Sequence, residues 1–299
     1  MKILVMGSMG FIGSHACRFF SLKNEVWGAD VIPDNGAGKY ILLNKSNTSY
    51  ESIFKTHQFD LCINASGNGS VPISLNQPLF DFELNVTNII KLLDAIRIHN
   101  PSCKLINLSS AAVYGNPAAL PINEKVPLKP MSPYGWHKMY SEQICKEYYY
   151  LYNLHTISLR LFSVYGEGLK KQIFWDTYQK CLYSNEIELF GSGNETRDFI
   201  YILDLMNAIQ CVAHYGLFNG EAINVSSGIE TTINDAVTIF CSEISKDIKV
   251  RFNKIVKPGD PLNWKADVGI LQNWGFTPKI SLTDGLKNTI GWLKTLSDK

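Results

Sequence analysis

The chain has 299 residues, enough for one large α/β domain or for a nucleotide-binding domain with a smaller lobe. Its composition, 45% hydrophobic and 18% charged, fits a globular protein with a substantial core. A formal net charge of +1 leaves no electrostatic footprint for nucleic acid or an anionic membrane surface, and no apolar run approaches the roughly 20 residues that span a bilayer.

In chain order, Ile3–Met6 reads as a buried strand, Gly13–Phe20 as the beginning of a helix and Asn24–Ala29 as a second strand. Leu61–Asn64 is another strand, Val86–Ile98 repeats apolar residues at helical spacing, and Lys104–Leu108 is again a strand. Pro133 to about Tyr150 forms a long helix, followed by the strand Thr156–Leu161. Strands alternating with helices imply βαβ units and a parallel sheet covered on both faces. After residue 162 glycines punctuate shorter segments, with a helix over Ile173–Leu182 and a closing helix over Ile280–Leu296. This predicts a first domain over 1–162 and a smaller lobe over 163–299, with a soft boundary because later segments can return to the first domain.

Met1–Met6 is too short and too quickly cut by glycines to be a signal peptide, which predicts a soluble cytosolic chain. Seven cysteines, none closer than 30 residues to another, form no CxxC pair, and no HExxH occurs. Reduced core cysteines and no metal site are expected.

The first strand runs straight into Gly7-Ser8-Met9-Gly10-Phe11-Ile12-Gly13. Glycines there allow a tight turn, let backbone approach a pyrophosphate and let helix pack closely on strand. The helix start then offers the N–H groups around Gly10, Phe11, Ile12 and Gly13 to phosphate. Asp30 closes the second strand, 17 residues after Gly13, where its carboxylate can accept both ribose hydroxyls of an adenosine and repel a 2′-phosphate. No Arg or Lys follows at once, the next residue being Val31, so NAD is expected rather than NADP.

Strand Lys104–Leu108 delivers Ser109-Ser110-Ala111-Ala112-Val113-Tyr114-Gly115 to the ligand-binding edge of the sheet. In Ser132-Pro133-Tyr134-Gly135-Trp136-His137-Lys138, Ser132 reads as a helix N-cap and Pro133 as the first helical residue. Tyr134 and Lys138 then stack at i and i+4 on one helical face. A phenol with a pKa of about 10 is a poor base at neutral pH. A nearby ammonium and a positive nicotinamide stabilise the phenolate, so Tyr134 can take a hydroxyl proton while the carbon gives hydride to NAD⁺. Ser110 would hold the same oxygen and Lys138 the nicotinamide ribose. His137 lies about 100° around the helix from Lys138 and reads as a surface residue.

The Gly-x-x-Gly-x-x-Gly turn, Ser110, and the Tyr134/Lys138 pair together resemble the extended short-chain dehydrogenase/reductase family over nearly the whole chain. The resemblance implies a Rossmann-type doubly wound parallel sheet with a smaller C-terminal α/β lobe that binds substrate. Phe59–Gly67 matches the family's fourth strand, placing Ala65, Ser66 and Gly67 over the cofactor, with Asn64 in place of the usual histidine. Asn85-Val86-Thr87 matches the family's Asn-Val-x-Gly helix start without its glycine, and implies that Asn85 lies at the cofactor. Leu159–Gly166 matches the strand into the substrate lobe, Ser163 standing where many members carry a substrate-binding Asn. Gly191–Tyr201 resembles the Arg-Asp-Phe segment of nucleotide-sugar enzymes, in which the arginine, here Arg197, holds the substrate diphosphate.

Members that dehydrate or decarboxylate the sugar need an acid just after the catalytic Ser/Thr, and Ala111 and Ala112 have none. The Cys beside the serine and the second acid His of fucose-synthase-like members are not evident either. A 4-epimerase, which oxidises C4 and returns hydride to the other face, is favoured by Asp30 and by the Ser110–Gly115 motif. A 4-ketoreductase that consumes NAD(P)H on a 4-keto-6-deoxy sugar is the alternative, since Gly69 replaces a lysine that some galactose epimerases use. A non-catalytic Rossmann binding protein is a distant third, because both Tyr134 and Lys138 are present. The resemblance further implies a nucleotide-sugar substrate contacted by Ser110, Ala111, Ser163 and Arg197. It also implies a homodimer formed by the helices near 86–98 and 133–150, whose non-core faces include Tyr140, Tyr148 and Tyr149.

Overall fold

The structure is a computed structural model that describes residues 1–34, 36, 38–45, 49–257 and 259–297. Seven strands form one all-parallel sheet: β1 (Lys2–Met6), β2 (Glu25–Asp30), β3 (Lys39–Leu42), β4 (Leu61–Asn64), β5 (Lys104–Ser110), β6 (Thr156–Leu161) and β10 (Asn219–Val225). Their order is β10-β6-β5-β4-β1-β2-β3, so chain direction across the sheet reverses between β1 and β4. In open α/β sheets the crevice outside the strand ends at such a reversal is the usual ligand site.

Side chains of β1 alternate between two cores, as the two-residue period of a strand demands. Ile3 and Val5 face one core with Phe20, Ile106, Leu159, Leu205 and Phe240. Leu4 and Met6 face the other with Leu92, Leu93, Ile96, Leu105 and Cys145. A strand buried on both faces reads as a near-continuous apolar run, which is why β1 and β4 are legible as hydrophobic stretches.

The helices are α1 (Phe11–Ser21), α2 (Glu51–Thr56), α3 (Val71–Asn76), α4 (Pro78–Phe82), α5 (Asn88–His99), α6 (Pro133–Tyr152), α7 (Gln172–Cys181), α8 (Ile202–Tyr215), α9 (Ile233–Ile244), α10 (Gly269–Asn273) and α11 (Leu282–Ser297). A single π-helical turn, Glu83–Thr87, joins α4 to α5 and takes in Val86 and Thr87, the start of the helix expected over Val86–Ile98. Strands β7 (Ser163–Tyr165), β9 (Thr196–Tyr201) and β11 (Glu230–Thr232) form a small mixed sheet, and β8 (Glu186–Leu189) pairs with β12 (Lys249–Phe252). β10 returns from beyond residue 162 to pair with β6, so the later part of the chain completes the main sheet.

Tyr148, expected on an outward face of α6, is 8% exposed and belongs to the second core with Leu93 and Cys145. Tyr140 is 39% exposed. No helix among the described residues is long and apolar enough to cross a membrane.

Candidate active site

The glycine turn links β1 to α1 inside the crevice. Gly7 has φ +74°, and a Cβ there would lie 2.7 Å from the Ala65 carbonyl oxygen, so only glycine lets the two loops meet. A Cβ on Gly13 would lie 2.0 Å from the Gly7 carbonyl oxygen, which fixes the close seat of helix on turn. Gly10 is the N-cap of α1 and has no side chain to cap it, so the first helical amides, from Phe11 to Gly13, are left for an outside acceptor.

Asp30 ends β2 beside this turn. Its carboxylate accepts the Met9 N–H at 2.9 Å and the Val31 N–H at 2.7 Å. It thereby braces the glycine turn from the neighbouring strand while lone pairs remain for hydroxyl donors. A bare helix N-terminus for phosphate and a fixed carboxylate for ribose are the donor and acceptor set a dinucleotide requires. Ala65, Ser66 and Gly67 follow β4 across the crevice, and Asn85, in the π turn, lies against Gly67. The Asn85 amide donates to the Asn68 carbonyl and to Asp81, and its Oδ1 is buried without a hydrogen-bond partner among the described residues.

Ser110, Tyr134 and Lys138 come together at the end of β5. Ser132 caps α6 by accepting the Gly135 N–H at 3.2 Å, with Pro133 at the first helical position. This starts α6 so that Tyr134 meets Ser110, whose side chain hydrogen-bonds to it. Ser110 also accepts the Ala112 N–H at 3.2 Å and so caps the short 3₁₀ turn Ala111–Val113. The Lys138 ammonium donates to the Leu108 carbonyl at 2.9 Å and lies 5.9 Å from the centre of the Tyr134 ring. Burial pushes the phenol up and the Ser110 hydrogen bond pulls it down, while burial lowers the Lys138 ammonium to about 8 against the opposing pull of Asp81 and Glu142.

Beneath the site runs a buried ionic network. Arg160 of β6 donates to both Glu142 carboxylate oxygens, Glu142 accepts the Ser109 hydroxyl at 2.5 Å, and Arg160 also donates to the Tyr114 hydroxyl at 2.8 Å. Tyr114 in turn donates to Asn224 of β10 at 2.7 Å. The sequence signal for Glu142 is its place at i+4 from Lys138 and i+8 from Tyr134, on the same helical face.

His137, expected on the surface, is 8% exposed, and its Nδ1 lies 2.5 Å from a carboxylate oxygen of Asp81. The wheel angle from Lys138 is as expected, but α4 covers that side of α6.

Beyond residue 162 Ser163 opens β7 and Arg197 lies on β9, the strand paired with β7. The Arg197 guanidinium donates to the Thr196 and Leu262 carbonyls at 2.8 and 3.1 Å and lies over the Trp264 ring. Neighbouring Asp198 is fully buried and accepts from Ser226, Ser227, Gly228 and Ala266, which ties the loop after β10 to β9. Arg197 is thus held on a fixed strand. No group of His, Cys, Asp and Glu suited to a metal ion occurs among the described residues.

A family model described as the NAD-dependent epimerase/dehydratase family matches residues 3–226. The chain belongs to that family. Among its relatives, the UDP-glucuronate 4-epimerase of Thermodesulfobacterium geofontis is 28% identical, with 97% of this chain and 95% of that protein covered. A UDP-N-acetylglucosamine 4-epimerase from Methanobrevibacter ruminantium, solved with UDP-N-acetylmuramic acid, superposes with a TM-score of 0.89 at 27% identity, covering 99% of this chain and 98% of the other. The UDP-glucuronic acid 4-epimerase of Bacillus cereus, solved with UDP-glucuronic acid and NAD, gives 0.90 at 26% identity, covering 99% and 100%. The cofactor of this chain is NAD, and its main sheet is the Rossmann sheet of these structures.

Proposed function

We propose that this protein is an NAD-dependent 4-epimerase of a nucleotide-activated hexose. The observation that carries the reading is the convergence of Ser110, Tyr134 and Lys138 at the sheet edge, within a family whose similar members include 4-epimerases.

The glycine turn and the amides of Phe11, Ile12 and Gly13 hold the NAD pyrophosphate, Asp30 beside Val31 holds the adenosine ribose, and the loop Ala65–Gly67 with Asn85 closes on the other side. Bound there, NAD⁺ would supply the hydride acceptor for C4 and a positive charge beside the phenol. Tyr134 takes the proton of the C4 hydroxyl and gives it back after the keto sugar has turned over. Ser110 holds the C4 oxygen, and Lys138 keeps the phenolate reachable and holds the nicotinamide ribose. Ala111 and Ala112 carry no acid, which agrees with a reaction that ends at the epimer.

The lobe beyond residue 162 takes the nucleotide end of the substrate, with Arg197 on the diphosphate and Ser163 and Ala111 near the sugar. We place the protein in the cytosol as a homodimer. Leu79, Phe80, Ile90, Trp136 and Tyr140 expose apolar surface on α4, α5 and α6, which a second copy would cover.

Incubation with UDP-, dTDP-, GDP- and CDP-hexoses without reduced nicotinamide tests the reading. Formation of the C4 epimer supports it. Turnover only of 4-keto sugars, with consumption of reduced cofactor, would replace it by the ketoreductase.

A further inference from the structure

A chain of neutral polar side chains runs from the loop after β4 to α6. Asn64 ends β4, and Asn107 stands opposite it in register on β5. Asn64 Oδ1 accepts the Ser66 hydroxyl at 2.6 Å and the Ser66 N–H at 3.3 Å. That turns the Asn64 amide the other way, and its Nδ2 donates to Asn107 Oδ1 at 3.1 Å. Asn107 Nδ2 donates to the Ser141 hydroxyl at 3.2 Å, and Ser141 donates to the Lys138 carbonyl at 2.8 Å.

Asn64, Asn107 and Ser141 are 7%, 2% and 2% exposed, so little water reaches them to replace a lost partner. Two residues earlier on the same strand faces stand Cys62 and Leu105, both in the second core. Apolar side chains would serve packing equally well at positions 64 and 107. The polar ones are instead lined up so that each donates to the next, and each bond sets the orientation of the amide beyond it. One end of the chain is Ser66, in the loop after β4. The other is the turn of α6 that carries Lys138, whose ammonium is held by the carbonyl of Leu108, the residue after Asn107.

We propose that Asn64, Asn107 and Ser141 are positioning residues that couple the loop Ala65–Gly67 to Lys138, so that the two sides of the cofactor site are set together. This rests on the cofactor seat proposed above, with that loop on one side of NAD and Lys138 at the nicotinamide ribose. Loss of the Ser141 hydroxyl leaves Asn107 Nδ2 a buried donor without its acceptor, and the amide is released to turn. Asn64 then loses a fixed partner, and Ser66 the group that holds it. The three residues act through Ser66 and Lys138, not on the reacting atoms, and none of them ionises.

The test is a double-mutant cycle between the two ends of the chain, read as the Kd for NAD by calorimetry. Ser66→Ala and Ser141→Ala should each raise Kd roughly threefold or more, and the double variant no further than the weaker-binding single, as for residues that share partners. Independent ends would give the product of the two factors, and that result would overturn the proposal. So would an unchanged Kd in either single variant, which would leave the chain a packing feature. Should Ser141→Ala not fold, Ser141→Cys, close in size but with a poor acceptor, takes its place in the cycle. Lys138→Met reports on the seat itself and should weaken NAD binding. An unchanged Kd there would overturn the seat and the proposal together, whereas weakened binding there with independent ends would remove only the coupling.

Discussion

The Lys138 ammonium donates to the Leu108 carbonyl 2.9 Å away, so the lysine of α6 is moored to the strand that ends in Ser110. That contact orients the charge but does not offset the cost of burying it. Lys138 falls from 10.5 to about 8 in the folded chain, a difference worth about 3 kcal/mol against folding while the lysine is charged. The sign follows from proton counts: between pH 8 and 10 the unfolded chain holds more protons, so this contribution makes stability rise with pH, and below pH 8 the full cost stands. Lys138→Met should therefore unfold at higher temperature than the parent at pH 7 without cofactor, and the difference should shrink towards pH 10. An equal or lower melting temperature at pH 7 would contradict this.

Removing the Tyr134 hydroxyl takes away the proton acceptor and leaves the crevice intact. Tyr134→Phe should lower kcat by about 10³-fold, within the usual range for a lost acid–base group, with NAD binding unchanged by calorimetry. Ser110→Ala, which loses one hydrogen bond to the reacting oxygen and the cap on Ala112, should lower kcat by about tenfold to a hundredfold.

Asp30 both braces the Met9 and Val31 amides and faces the ribose position. Asp30→Ala should raise the Kd for NAD by roughly tenfold to a hundredfold, the loss of about two charge-assisted hydrogen bonds. The discrimination against NADP should narrow at the same time, because the carboxylate that repels a 2′-phosphate is gone. Fluorescence titration of both cofactors measures the two effects, and an unchanged NAD to NADP ratio would contradict the assignment.

Arg160 and Glu142 are both nearly inaccessible, with side chains 7% and 3% exposed. Glu142→Gln leaves a buried guanidinium without its counter-charge and should destabilise the fold by about 3 to 5 kcal/mol. Chemical denaturation would record it as a lower midpoint, and a loss under 1 kcal/mol, the worth of a solvated surface pair, would place the network in water.

The main sheet was legible because parallel strands buried on both faces leave near-continuous apolar runs, and β1 and β4 lie where those runs predict. The glycine turn and the Tyr134/Lys138 spacing were legible because both act through local geometry, a turn and one helical period. Asp81 was not: nothing near it in sequence announces a partner, and its meaning comes from α4 lying on α6. His137 was misread for the same reason, since a helical wheel gives direction but not what another helix covers. Tyr148 failed likewise, as an aromatic stripe does not distinguish a core face from an exposed one. The π turn at Glu83–Thr87 was hidden because a single wide turn scarcely alters the apolar period.

In the proposed reaction hydride leaves C4 and returns to it within one bound molecule. A nucleotide hexose carrying deuterium at C4, incubated in ordinary water without added cofactor, tests it directly by NMR of the product. The expected product is the C4 epimer with deuterium retained at C4. Inversion with deuterium washed out to solvent, or no inversion of any nucleotide hexose offered, would contradict it.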